Sequence, residues 1–292
     1  MENKDICKKY LAHSDSVRVV ICDVTNMVKQ IRDIHNLSNT ATVAMGRTLA
    51  ITSIMSSLLE EANSRLSIQI SGEGPIGNII TCGNNDLEIK GYVSNPTVEL
   101  KNVNGKYNVA GVIGKGVLTV IKDIGLKEPY IGKCNLLTSE IAEDFAYYYL
   151  TSEQTPSIVS LGVNLDKDGN VLKASGYFIQ PLPDCSNDII DILEKANVNI
   201  KSVTGMMLDL DNMLDIAKLI TSDENVKEIY SKFPKVICDR NDIRIKNAII
   251  SMGYGEAINA LKENNGIVEV KCSFCNKSYK FDEKDINKLF EK

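Results

Sequence analysis

VLKASGYFIQPLPDCSNDIIDIL, residues 171–193, changes character at Pro181-Leu182-Pro183. Ahead of the prolines, Val171 to Ile179 is rich in β-branched and aromatic residues and reads as a strand. Behind them, Ile189, Ile190, Ile192 and Leu193 fall at helical spacing. Strand signals vanish beyond this point. The junction therefore divides the chain into an α+β core domain over 1–183, an all-helical linker over 184–235 and a small C-terminal cysteine module over 236–292.

Working outward toward the N-terminus, Ile158 to Val163 pairs with the Val171 to Ile179 strand through an Asp-Lys-Asp-Gly turn at 166–169. SEIAEDFAYYYL, 139–150, is an amphipathic helix with Ser139 placed as its N-cap. Between about Leu66 and Val120, short apolar runs alternate with Gly and Asn turns, the pattern of a meandering sheet. From Asn39 to Ala62, Met45, Leu49, Ile54, Met55 and Leu58 recur every three or four positions and predict a helix. Val17 to Ile21 reads as a strand. Gly72-Glu73-Gly74-Pro75 is a tight turn; no GK[ST] follows, and Glu73 would repel a phosphate. Glu140, Glu143 and Asp144 read as a solvated or core-orienting helix face, and Tyr147 to Tyr149 as packing.

Toward the C-terminus, Met206, Met207, Leu210, Met213, Leu214 and Ile216 predict a second linker helix, and Phe233-Pro234 closes the linker. In the module, Ile243 to Met252 and Glu256 to Glu263 read as short helices. Ile267 to Lys271 and Ser278 to Phe281 form a hairpin around Cys272-Ser273-Phe274-Cys275, and Asp282 caps a last helix, EKDINKLF.

With 43% hydrophobic and 24% charged residues over 292 positions, the chain is long enough for two domains and too apolar for disorder. A net charge of −5 opposes nucleic-acid binding, which needs a basic surface. No run approaches the roughly 18 apolar residues of a membrane span. MENKDICKKY has no apolar leader segment, so a cytoplasmic protein without membrane contact is expected.

In a reducing compartment, clustered cysteines point to metal or redox chemistry. Cys7, Cys22, Cys82, Cys134 and Cys185 are scattered and read as packing residues. Cys272 and Cys275 have the C-x-x-C spacing with which two thiolates grip a tetrahedral zinc, and Cys238 is the third ligand expected. The fourth is open: His13 and His35 lie far upstream, and Asp239, Asp242, a water or some other residue could fill the position. A C-x-x-C pair can also close into a disulfide, which would remove the metal and melt so small a module.

Several blocks resemble a known family. MGRTLA at 45–50, GEGPIGNI at 72–79, GYVSNP at 91–96, EIAEDFAYYYLTSEQTPS at 140–157, GYFIQPLP at 176–183 and VKCSFCNKSYKF at 270–281 are similar to the bacterial 33 kDa chaperonin family, the redox-regulated heat-shock holdases. The resemblance implies an ATP-independent chaperone, not an enzyme, that binds unfolding client proteins under oxidative stress. It implies four zinc-bound cysteines that oxidise as C-x-C and C-x-x-C disulfides, and a homodimer as the active form. One position departs. Aligning the helix that starts near Arg244 puts Cys238 at the first family thiol and Arg240 at the second. Arg240 cannot ligate zinc, being permanently protonated and without an acceptor.

The expected redox disulfide is therefore Cys272–Cys275, with Cys238 left for a mixed or intermolecular bond. Met206, Met207, Leu210, Met213 and Leu214 are the client-binding candidates, because flexible Met side chains suit promiscuous contacts. Two alternatives accompany this reading. Arg240 admits a constitutive holdase that has escaped redox control. A thiol–disulfide oxidoreductase is disfavoured because its C-x-x-C usually opens a helix.

Overall fold

The first hairpin, β1 (Ile6–Ala12) and β2 (Val17–Asp23), is in continuous register from Ile6↔Asp23 to Ala12↔Val17. The computed structural model describes residues 4–198, 200–210, 212–238 and 242–290. Helix α1 (Thr25–His35) leads to α2 (Asn39–Ser57), whose N-cap Ser38 accepts the Ala41 amide. Then come β3 (Arg65–Gly72), β4 (Asn78–Asn84), β5 (Glu88–Val93), the short α3 (Val109–Ile113), β6 (Gly116–Asp123) and β7 (Tyr130–Asn135). Helix α4 (Ala142–Thr151) precedes the hairpin β8 (Ile158–Leu165) and β9 (Val171–Pro181). Helices α5 (Asn187–Val198), α6 (Val203–Asp209) and α7 (Met213–Thr221) follow, then β10 (Lys227–Lys232) and β11 (Lys235–Val236).

These strands build two sheets, ordered β10-β1-β2-β9-β8 and β11-β5-β4-β3-β6-β7. Helix α2 packs against both. Its Met45, Leu49 and Ile54 share one core with Ile68 and Ile79 of the second sheet and Val20 and Phe178 of the first. Every residue of α2 except Asn39 and Arg47 is buried. Several of its hydroxyls are satisfied within the helix: Thr48, Thr52 and Ser53 donate to the carbonyls of Ala44, Thr48 and Leu49. The helix stops at Ser57, short of Ala62, because the Leu58 and Leu59 amides turn back tightly onto the Met55 and Ser56 carbonyls.

The five-stranded sheet is covered on both faces. Val20, Cys22 and Phe178 belong to the α2 core, while Val19, Ile21, Tyr177 and Ile179 join Tyr10 in a second cluster. Leu193 of α5, Val203 and Met206 of α6, and Ile216, Ala217 and Ile220 of α7 complete that cluster. An unbroken apolar run such as Val19 to Cys22 is what a strand buried on both faces requires.

The α+β class holds, and some local expectations change. The linker is helical to Thr221 and then turns to strand, β10 pairing antiparallel with β1 and β11 parallel with β5. KEIYSK is a polar edge strand, recognisable only beside its partner. The Met-rich stretch is two helices, since Leu210 is extended and Asn212 caps α7 through the Leu214 amide. Ser139 is not an N-cap. The buried Asp144 carboxylate instead accepts the amides of Leu137, Thr138, Ser139 and Ile141, fixing the entry to α4. Gly72 and Gly74 lie where a Cβ would collide with the Ile113 and Val112 carbonyls, so this turn is a packing device. Tyr148 and Tyr149 are buried, Tyr149 stacking tilted on Phe178 at 4.8 Å.

A second compact unit begins at Ile237, after the first ends at Val236. It holds α8 (Asp242–Met252), α9 (Tyr254–Glu263), the hairpin β12 (Val268–Lys271) and β13 (Ser278–Phe281), and α10 (Glu283–Phe290). Asp282 caps α10 by accepting the Asp285 amide at 2.9 Å.

Candidate metal and thiol site

The β12–β13 hairpin turns at Cys272-Ser273-Phe274-Cys275. The Cys272 amide donates to the Lys277 carbonyl and the Asn276 amide to the Cys272 carbonyl, both at 2.9 Å. Asn276 reverses the chain with a left-handed φ of 60°, which asparagine tolerates better than most residues. Cys238 brings its Sγ to 3.7 Å from Cys272 Sγ. All three sulfurs lie within 4.8 Å of one another.

A tetrahedral metal with metal–sulfur bonds of about 2.3 Å holds its sulfurs about 3.8 Å apart, so this spacing fits a thiolate site for a soft metal. Among the described residues no other His, Cys, Asp or Glu joins the group. Asp239 and Arg240 lie outside the described residues, as does the side chain of Asp242. His13 sits in the β1–β2 turn and His35 in α1, both in the first unit.

The thiols differ in acidity. Burial pushes Cys238 up to about 12, and hydrogen bonds with the Cys275 and Cys272 thiols add to the rise. Burial also opposes ionisation of Cys272, but the amides of Cys275 and Phe274 and the neighbouring thiols outweigh it and hold Cys272 below the ordinary thiol value. Cys272 thus becomes a thiolate before Cys238. Elsewhere burial dominates: Cys7, facing Cys22 across β1–β2, is pushed up to about 12, and Cys134, with the Asp144 charge adding to the rise, to about 11. Those thiols are inert by comparison.

The module around the cluster has a small core, Ile249, Ala257, Leu261, Val268, Phe281 and Ile286. So little buried apolar surface needs a staple, which a metal or a disulfide supplies.

The Met-rich candidates sit elsewhere, on the outer face of the five-stranded sheet. Met206 is 2% exposed, and Met207, Leu210, Met213 and Leu214 are half-buried against the same cluster. Sequence reasoning missed the other half of this interface: Tyr10, Val19, Ile21, Tyr177 and Ile179. Their signal was the apolar run through Val19 to Cys22. A few polar contacts hold the cover down. Tyr177 Oη donates to Asn197 Oδ1 at 2.9 Å, and Asn197 Nδ2 donates to the Ile220 carbonyl at 2.9 Å. His13 Nε2 lies 2.9 Å from the Thr221 carbonyl at the end of α7. Among the described residues no helix is long and apolar enough to cross a membrane.

Fold and site define a two-unit α+β protein whose smaller unit is built on a three-thiol cluster able to hold a metal. The model of the Hsp33 protein family matches residues 5–282. The 33 kDa chaperonin of Acetivibrio thermocellus is 38% identical, over 98% of this chain and 97% of that one. That of Caldanaerobacter subterraneus is 41% identical over 94% of each. The crystal structure of the 33 kDa chaperonin (Hsp33 homologue) of Thermotoga maritima superposes with a TM-score of 0.89 at 34% identity, covering 98% of this chain and 97% of that one. The chain belongs to the Hsp33 family of chaperones.

Proposed function

We propose that this chaperone is a cytoplasmic, ATP-independent holdase that captures unfolding proteins when oxidation of its C-terminal thiols activates it. One observation carries the reading: an apolar sheet face lies hidden beneath three short helices. A holdase must store apolar surface out of water until it is wanted, because a large exposed patch aggregates. Uncovering would present Tyr10, Val19, Ile21, Tyr177 and Ile179 on the sheet, and Met206, Met207, Leu210, Met213 and Leu214 on the helices, to a client. Two facing apolar surfaces become available in one step, and the active chain pairs with a second copy.

Cys238, Cys272 and Cys275 would hold zinc, which when bound keeps the sulfurs as thiolates and ties the hairpin to the segment ahead of α8. Oxidation of Cys272 and Cys275 by a peroxide forms one S–S bond, passes two electrons to the oxidant and yields two waters. Two of the three donors are then lost, and the small core of the module is left without its staple. Catalysis of disulfide exchange is a weaker reading, because the C-x-x-C pair sits on a hairpin turn and opens no helix.

Light scattering of a heat-unfolding client tests this, with the reduced and peroxide-treated chain compared. Suppression by the oxidised form alone is expected. Equal suppression by both forms would make the protein a constitutive holdase, a reading favoured by Arg240 at the second family thiol. No suppression by either form would overturn the proposal.

A further inference from the structure

Cys238 has lost its expected disulfide partner in sequence, because Arg240 stands two positions on. In space it has another: its sulfur is 3.7 Å from that of Cys272. A disulfide needs sulfurs about 2.05 Å apart, a gap that small side-chain rotations close. We propose that Cys238 and Cys272 form an intramolecular disulfide, and that this bond locks the module in its folded state. The proposal rests on the thiol cluster described above and is independent of client capture.

The chemistry needs only a peroxide. One thiolate attacks it, the O–O bond breaks, and a sulfenic acid and one water result. The second thiol displaces the sulfenic oxygen as a second water, and the S–S bond forms. Two thiols lose two electrons and two protons. Cys275 keeps its thiol.

The consequence is opposite in sign to that of the Cys272–Cys275 bond. The C-x-x-C bond closes a short local loop within one turn and fastens the hairpin to nothing else. The Cys238–Cys272 bond joins residues 34 positions apart and fastens the segment ahead of α8 to the hairpin. Closing a long loop removes freedom from the unfolded chain and so favours the folded module. Cys272 can enter only one bond at a time. Oxidised chains therefore divide between a released form and a locked form, and Cys272 is the branch point.

Peptide mapping of the full-length, metal-free chain after peroxide treatment tests this, with free thiols alkylated and no reductant used. Trypsin should release Val236–Arg240 linked to Cys272–Lys277, with the alkyl group on Cys275. Cys275→Ser should yield this link as its main product in monomeric chains. The melting temperature of its module should rise by about 5 °C over the reduced variant. Cys238→Ser should abolish the link and form only Cys272–Cys275.

Recovery of Cys238 fully alkylated from oxidised Cys275→Ser would overturn the proposal, as would a link found only between two chains or a wild-type link to Cys275. A link that lowers the module's melting temperature would overturn the locking role. Client suppression measured on the same samples separates the two readings: oxidised Cys238→Ser, which carries only the Cys272–Cys275 bond, should suppress, and its failure to do so beside a mapped Cys238–Cys272 bond in Cys275→Ser sinks the holdase and leaves the lock.

Discussion

The two faces of the five-stranded sheet are built from the same strands and are covered in different ways. The inner face meets α2, a helix buried nearly all round and wedged against a second sheet. The outer face meets α5, α6 and α7, short helices that pack on one side only. Alternation along β9 sends Phe178 inward and Tyr177 and Ile179 outward. Removing α2 would dismantle the whole unit. Removing the outer helices would bare one face and leave the inner core in place. Stability in such a molecule is layered, and the weaker layer is the one that can serve a conditional function.

This contrast can be broken by mutation. The largest effect is expected for Phe178→Ala, which opens a cavity in the inner core and should cost about 3–5 kcal/mol of global stability by urea unfolding. Ile216→Ala, under the outer helices, should cost about 2–4 kcal/mol. Its loss should be local: hydrogen exchange should speed up in α5 to α7 while α2 stays protected. If both variants deprotect α2 equally, the layers are one cooperative unit and the contrast fails. The smallest effect is expected for Asn197→Ala, at about 1–2 kcal/mol, because the Tyr177 hydroxyl and the Ile220 carbonyl each lose their bond to Asn197. Client suppression at lower peroxide than wild type would show that this latch sets the threshold; an unchanged threshold would reduce Asn197 to packing.

Much of the architecture was legible because local chemistry dictated it. The hairpin over 158–181, the helix entered near Ser139, the break at Pro181-Leu182-Pro183 and the cap at Asp282 all follow from turn residues, periodicity and proline geometry. The strand KEIYSK was not legible, because a polar edge strand is defined by β1, more than 200 positions away in sequence. Nor was the true cap of α4, since Asp144 acts from inside the helix on amides that precede it. The Met-rich stretch was seen, but its partners on the sheet were not, because a period-two pattern does not say what each face meets.

By itself the sequence determined the α+β class, those strands and helices that carry a clear local pattern, and a thiol chemistry reduced to three cysteines in the C-terminal module. These are matters of neighbouring residues, whose conformations are set within a turn or two of chain. Only the tertiary structure decided which face of the first sheet is hidden and by what, and that the Cys238 sulfur comes to 3.7 Å from that of Cys272. Such pairings join residues far apart in the chain, and they exist only once burial of apolar surface has outweighed the entropy of closing the loops between them.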